Sequence, residues 1–277
     1  MISFPCSKIN IGLNIVRRRD DGYHDLQSIF VPISWTDILE VVPKGNGATG
    51  LTVTGNHIAC APEKNLVIKA LKAVENYIGK ELPPVDIFLR KIVPDGAGLG
   101  GGSADAASTV KILNGIFNLS LTDGDMKAIS SGIGADCPFF IECKSMLATG
   151  TGTTLSPIEL PQLKDKTITV AKPPVTVGTR DAYAGVRPSG IELDYRDMAK
   201  EPVEEWRKLF VNDFEKSIFP SHPEIARIKE QFYHGGALYA SMTGSGSAVY
   251  GIFNNDILAE SVKEQLSDCA VWSGTIC

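Results

Sequence analysis

The sequence predicts an α+β protein of two domains. Three observations lead there. Strand and helix signals mix in both halves, with no single repeating βα period. The texture of the chain changes after about Gly150. The 277 residues, 43% hydrophobic and 21% charged, suffice for one large core or two smaller ones. The boundary falls within 145–168, and 155/156 divides the chain into domains 1–155 and 156–277.

The elements follow in order. Ile9, Ile11, Leu13 and Ile15 alternate with Lys8, Asn10, Gly12 and Asn14, which predicts a strand with one buried face. "RRRDDGYHDLQ" (17–27) reads as a charged loop. "SIFVPISWTDILEVVP" is further strand, "GNGATG" a turn, and "LTVTG" a strand again. Leu66, Ala70, Leu71, Val74 and Ile78 stand at helical spacing, and Gly79 fits the stop. "VDIFLRKIVP" is a strand that runs into "PDGAGLGGGSADAA" (94–107). A helix follows from about Ser103 to Phe117. "LTDGDMKAISSGIG" predicts another, capped by Thr122 and stopped near Gly132 or Gly134. Beyond Gly150, "TITVAKPP" is a strand. "GTRDAYAGV" opens a helix with Thr179 as its cap, and "EPVEEWRKLF" and "HPEIARIKEQF" are helical. "ALYASMTGSGSAVYGIF" gives two strands around a Gly/Ser turn, followed by a helix and a last strand, "AVWSGTIC".

Composition excludes several function classes. A net charge of -5 argues against a broad nucleic-acid-binding face. The N-terminal segment has no basic start before an apolar run, and no stretch of about 20 apolar residues occurs. Neither a signal peptide nor a membrane span is expected, and the cytoplasm is the expected location. The six cysteines lack zinc spacing and are expected as free thiols, with Cys137 lining a pocket.

Five of the fourteen residues at 94–107 are glycine. A flexible linker does not fit, because an apolar strand precedes them and a helical stripe of Ala104, Ala107, Val110, Leu113 and Phe117 follows. Glycines let a ligand touch the backbone, and a helix start offers free N–H groups to an anion. Gly96, Gly98 and Gly101 fit G-x-G-x-x-G. However, the acid that a dinucleotide fold needs about 20 residues on would be Asp123, in a turn or helix start. No lysine completes a Walker A loop, and a protein-kinase loop would lead into a strand. Glycine for close packing is the alternative that the residues alone leave open.

"PDGAGLGGGSADAA" resembles the phosphate loop of the GHMP small-molecule kinases. "PCSKINIGLNI" (5–15) resembles that family's first motif, P-x-K-x-N. "SMTGSGSAVYGIF" (241–253) resembles its third, a glycine turn. "RRRDDGYHDLQSIF" and "GIGADCPFFI" resemble segments of one branch, which acts on a cytidine-diphosphate methylerythritol in the non-mevalonate isoprenoid pathway. The resemblance implies a ribosomal-protein-S5-like N-terminal domain and a ferredoxin-like C-terminal domain. It also implies ATP-dependent phosphorylation of a tertiary 2-hydroxyl.

The resemblance assigns roles as well. Lys8 and Asp136 are implied as the catalytic pair, the lysine stabilising the transferring phosphoryl and the aspartate accepting the hydroxyl proton. ATP phosphates are expected along Pro94, Asp95, Gly96, Ala97, Gly98, Leu99, Gly100, Gly101, Gly102, Ser103, Ala104 and Asp105. Asp95 would repel phosphate unless it faces solvent or helps a metal. Mg²⁺ is expected with ATP, held mostly by phosphate oxygens, with Ser103 as one candidate protein ligand. Asn10, Tyr23, His24, Thr179 and Tyr183 are expected to bind substrate. Tyr23 and Tyr183 would sandwich cytosine, and His24 would bond its edge. The expected partner is the small-molecule cytidine-diphosphate substrate, with no nucleic acid, no membrane and a monomeric or weakly dimeric state. Another small-alcohol kinase, a non-catalytic nucleotide sensor and an NAD-binding protein are the alternatives.

Overall fold

Alternation from Ile9 to Ile15 is realised as a strand, but a longer and more deeply buried one than a one-sided pattern predicts. In the computed structural model, which describes residues 1–57 and 60–277, β1 (Ile2–Ser3) precedes β2 (Cys6–Arg18) and β3 (His24–Thr36). β2 is buried on both faces from Cys6 to Val16. Gly12 allows this: at φ 62 it turns its missing side chain toward the Tyr195 hydroxyl, which a Cβ would meet at 2.7 Å. Arg17 and Arg18 end β2 and do not begin a loop, so the connection to β3 is only a short turn.

The order continues β4 (Ile38–Pro43), β5 (Gly50–Gly55), α1 (Leu66–Ile78), β6 (Val85–Lys91), α2 (Gly101–Phe117), α3 (Asp123–Ser131) and α4 (Phe139–Glu142). Then come β7 (Met146–Thr149), β8 (Thr154–Pro157), β9 (Thr167–Lys172), α5 (Thr179–Ala184), α6 (Tyr195–Met198), α7 (Trp206–Leu209) and α8 (Glu215–Ile218). The last elements are α9 (Pro223–His234), β10 (Tyr239–Met242), β11 (Val249–Phe253), α10 (Asp256–Lys263) and β12 (Ala270–Gly274). Gly79 stops α1 at φ 70, and Thr122 and Asp125 form a capping box on α3. α2 begins earlier than Ser103, because Gly100 takes the N-cap at φ 70, which glycine adopts without strain. The strands β7 and β8 are too short to stand out by period. Among the described residues no helix is long and apolar enough to cross a membrane.

The chain packs as two compact units that interleave along the sequence, where one boundary at 145–168 is expected. Unit 1 comprises Met1–Ser7, Trp35–Asp95 and Gly100–Lys144; unit 2 comprises Lys8–Ser34, Gly96–Leu99 and Ser145–Cys277. The last crossover, after Lys144, falls at the edge of the expected interval. The β2–β3 hairpin groups with the C-terminal half because β3 pairs with β7, Phe30 opposite Met146.

Unit 1 is the sheet β1-β4-β6-β5 with α2 packed on α1, α3, α4 and β4. β5 runs parallel to β6 and is joined to it through α1. Leu39, Val41, Ile87 and Leu89 of the sheet meet a core that includes Val67, Val74, Val110 and Leu113 of the helices. Cys6 and Cys143 are bonded in this unit, contrary to the expectation of six free thiols. The start of β2 and the residue capping α4 are neighbours, a pairing that their separation of 137 positions conceals.

Unit 2 holds two sheets, β2-β3-β7-β8 and β10-β11-β9-β12. In the second, every pair is antiparallel, and α9 and α10 connect its strands. Numbered from β9, its order is 4-1-3-2 with helical crossovers, the expected ferredoxin-like arrangement. Its core gathers Ile225, Ile228, Phe232, Phe253, Ala259 and Val262.

Candidate active site

The three motifs meet within unit 2. Lys8 and Asn10 lie on one side of β2, as period 2 requires, and both are buried. The Lys8 ammonium donates to Asn10 Oδ1 at 2.5 Å and sits 5.0 Å from the Phe30 ring centre. Ser28 fixes the Asn10 amide. Its hydroxyl donates to the Gly12 carbonyl at 2.6 Å, so it accepts from Asn10 Nδ2 at 2.9 Å and leaves Oδ1 facing Lys8. The Tyr250 hydroxyl holds the Asn10 carbonyl at 2.7 Å.

Thr243 joins this group to both glycine segments. Its hydroxyl accepts from Asn10 N–H at 3.1 Å, and it is 3.2 Å from Asn10 Oδ1 and from the Gly98 carbonyl. The Lys8 N–H donates to the Leu99 carbonyl at 2.9 Å, and the Ala248 N–H to Ala97 at 3.2 Å. A Cβ on Gly98 would lie 2.1 Å from the Thr243 carbonyl oxygen. The glycine at 98 is therefore required by contact as well as by its φ of 76. Ser28 and Thr243 are missing from the sequence-predicted set. The third motif contains Thr243, so a signal existed, whereas Ser28 reads as an ordinary strand residue.

The start of α2 belongs to unit 1. Gly101, Gly102 and Ser103 precede the Ala104 N–H, which donates to Gly100 O at 3.0 Å; amides at such an end have no partner within their helix. Ala97, Leu99, Ala104 and Asp105 are buried, so a ligand would meet them through backbone alone. Asp95 is exposed, as its charge demands. Asp136 is half-buried in the turn before α4, where its carbonyl accepts from Phe139 N–H at 3.2 Å. Its neighbour Cys137 is fully buried and hydrogen-bonded to Ser103, which sets the Asp136 turn against the first turn of α2. Burial pushes the Cys137 thiol up to about 11, aided by the Asp136 charge, so it stays protonated and inert.

The substrate-binding calls fall in unit 2. His24 stacks on Tyr183 with centres 5.0 Å apart and planes 27° apart, and Phe214 meets Tyr183 edge-on at 4.8 Å. Tyr23, expected opposite Tyr183, is 67% exposed at the turn, and His24 occupies the Tyr183 face. Tyr23 lies in the turn just before β3, whereas His24 is the first residue of that strand. Burial, then the Arg18 charge, lowers the His24 pKa and favours the neutral ring. Thr179 is not the cap of α5. Gly178 holds that place, and the Thr179 hydroxyl lies 3.3 Å from Ser245 in the third motif.

Among the described residues no group of three or more His, Cys, Asp or Glu side chains could hold a metal ion. A divalent ion would depend on ligand oxygens for most of its coordination. In unit 1, Leu51, Val53, Cys60, Pro62 and Asn65 line a cavity of about 200 Å³.

The GHMP kinases N terminal domain family matches residues 65–144, and the GHMP kinases C terminal family matches 195–271. A Parabacteroides distasonis protein named 4-diphosphocytidyl-2-C-methyl-D-erythritol kinase is 48% identical over 278 residues, covering 100% of both chains. A Porphyromonas gingivalis protein of that name is 42% identical over 277 residues, again covering 100% of each. A crystal structure of 4-(cytidine 5'-diphospho)-2C-methyl-D-erythritol kinase superposes with TM-score 0.84 at 30% identity, covering 100% of this chain and 99% of that one. A mevalonate kinase structure superposes with TM-score 0.75 at 16% identity, over 100% of this chain and 98% of that one, which is a likeness of fold.

Proposed function

The chain belongs to the 4-diphosphocytidyl-2-C-methyl-D-erythritol kinases of the GHMP kinase family, and we propose that Lys8 and Asp136 carry its reaction. That reaction is transfer of the γ-phosphoryl of ATP to the 2-hydroxyl of 4-diphosphocytidyl-2-C-methyl-D-erythritol, giving the 2-phosphate and ADP. The observation that supports it most is the meeting of Lys8, Asn10, Gly98 and Thr243 through direct hydrogen bonds.

In this reading ATP phosphates lie along Gly96–Ser103. The amides opening α2, at the positive end of its dipole, favour the anion. The adenine ring takes the cavity at Leu51, Val53 and Pro62. Asp136 accepts the proton of the attacking hydroxyl as the new P–O bond forms. Lys8, held by Asn10, stabilises charge on the transferring phosphoryl. Mg²⁺ supplies neutralisation of phosphate charge when bound, with Ser103 the candidate protein ligand. Tyr183, backed by Phe214, offers a face to cytosine, for which the His24 ring turns aside and Tyr23 closes from the turn.

An ADP-release assay over four alcohols tests this: the cytidine-diphosphate methylerythritol, mevalonate, homoserine and galactose. Turnover of the first alone is expected. Preference for any other would overturn the assignment of substrate.

A further inference from the structure

Period 2 along β6 sets Val85, Ile87, Leu89 and Lys91 on one buried face. Three of these suit a core. A lysine does so only when its charge is paired. Lys91 is 4% exposed, and its ammonium bonds both Asp37 and, at 2.7 Å, Asp105 Oδ2. All three side chains belong to unit 1 and are almost wholly buried.

The position of the trio is more telling than its charge. Asp37 is the single residue between β3 and β4. Its Oδ1 accepts from the N–H groups of Ile92 at 2.5 Å and Val93 at 2.9 Å, the first residues beyond β6. Asp105 lies just beyond the opening turn of α2, 14 positions after Lys91. The whole glycine loop runs between these anchors. Gly101 rests on the same cluster, where a Cβ would come within 3.3 Å of Val93 Cβ and 3.4 Å of Asp37 Oδ2. A buried ion pair is weak evidence for stability, since an apolar trio of similar volume often does as well or better. What the charges add is a directional tie between two segments.

We propose that Lys91, with Asp37 and Asp105, is the positioning device of the phosphate loop. It ties the end of β6 to α2 and so fixes where the amides of Gly101–Ser103 meet ATP. This rests on the reading of that loop as the ATP phosphate site. One carboxylate oxygen of the cluster is left over: Asp105 Oδ1 has no hydrogen-bond partner among the described residues. Burial, then the like charge of Asp37, outweighs Lys91 and raises the Asp105 carboxyl to about 7.

Steady-state kinetics of Asp105→Leu and Asp105→Asn test the tie. Leu leaves Lys91 paired with Asp37 but releases α2, whereas Asn retains an acceptor for Lys91. KM for ATP is expected to rise about 10-fold in the Leu variant, the scale of a sub-ångström misplacement, and less than about 3-fold in the Asn variant. KM for the cytidine-diphosphate alcohol should change less than about two-fold in both, as loss confined to one ligand requires. Equal ATP KM in the two variants, or a parallel rise in both KM values, overturns the proposal. So does a Leu variant that circular dichroism finds unfolded, because the cluster would then be a general stability element. Gly101→Val tests the underlying reading separately: normal ATP binding there would remove the loop from phosphate binding, whatever Asp105 does.

Discussion

Replacing Gly98 with alanine should separate contact from backbone strain in the phosphate loop. The added Cβ would lie 2.1 Å from the Thr243 carbonyl oxygen and 2.9 Å from its carbon. Ordinary contact begins near 3.4 Å, so one backbone must retreat by more than 1 Å. Thr243 cannot easily give way, because its hydroxyl is engaged by Asn10 and Gly98 and its N–H by Ala248. The loop moves instead. A misplacement of about 1 Å in a positioned group costs roughly 10²-fold in rate. Left-handed φ adds roughly 1–2 kcal/mol of strain for a residue with a side chain. Gly96→Ala is the control. Its φ of 61 carries similar strain, but the nearest heavy atom to its Cβ, Thr176 Cγ2, is 3.7 Å away. Left-handed strain should lower the melting temperature of both variants, and the contact should lower that of Gly98→Ala further, while kcat/KM in the ADP-release assay falls roughly 10²-fold only for Gly98→Ala. Equal kcat/KM in the two would refute the claim that the Gly98–Thr243 contact sets the loop.

Asp136→Asn should cut kcat by roughly 10²-fold or more with little change in substrate KM, the scale for losing a positioned acid or base; near-normal turnover would make Asp136 structural. Lys8→Met should be comparably severe, and the double variant should cost less than the product of the two if they serve one transfer, which single-turnover rates would read. Tyr183→Ala should weaken the cytidine substrate by roughly 5–150-fold, from about 1–3 kcal/mol of stacking, mostly in KM. Tyr183→Phe should be close to silent, and identical behaviour of the two variants would make Tyr183 a core residue.

Much of this was legible in the residues. The strand at Ile9–Ile15, the Gly79 stop, the Thr122 cap and the order of three motifs are local features, and local geometry followed them. Lys91 was half legible. Its period with Val85, Ile87 and Leu89 points inward, but a lysine at a strand end reads as solvated unless its partners are known. Those partners, Asp37 and Asp105, lie 54 and 14 positions away, beyond any pattern along one element. The choice between Tyr23 and His24 against Tyr183 depends on which way one strand begins, a matter of register that the motif D-G-Y-H does not fix. The grouping of Lys8–Ser34 with the C-terminal half depends on pairing across more than a hundred residues, and no composition shift marks it.

That interleaving constrains how the chain can mature on the ribosome. The β2–β3 hairpin emerges early, yet its partner strand begins at Met146. The bond from Asn10 to Thr243 closes a separation of 233 positions, so it forms only when synthesis is nearly complete. Contacts of such long range are slow to form, and unpaired edges are sticky while they wait. The nascent hairpin carries its own protection in Arg17, Arg18 and Arg19 at its tip, where charge discourages edge-to-edge association. A chain stalled before Thr243 would hold Lys8 without the lock on Asn10, and neither compact unit can be cut out as a continuous fragment. Nucleotide affinity should therefore appear late in translation and abruptly, with the last strands of the ferredoxin-like sheet.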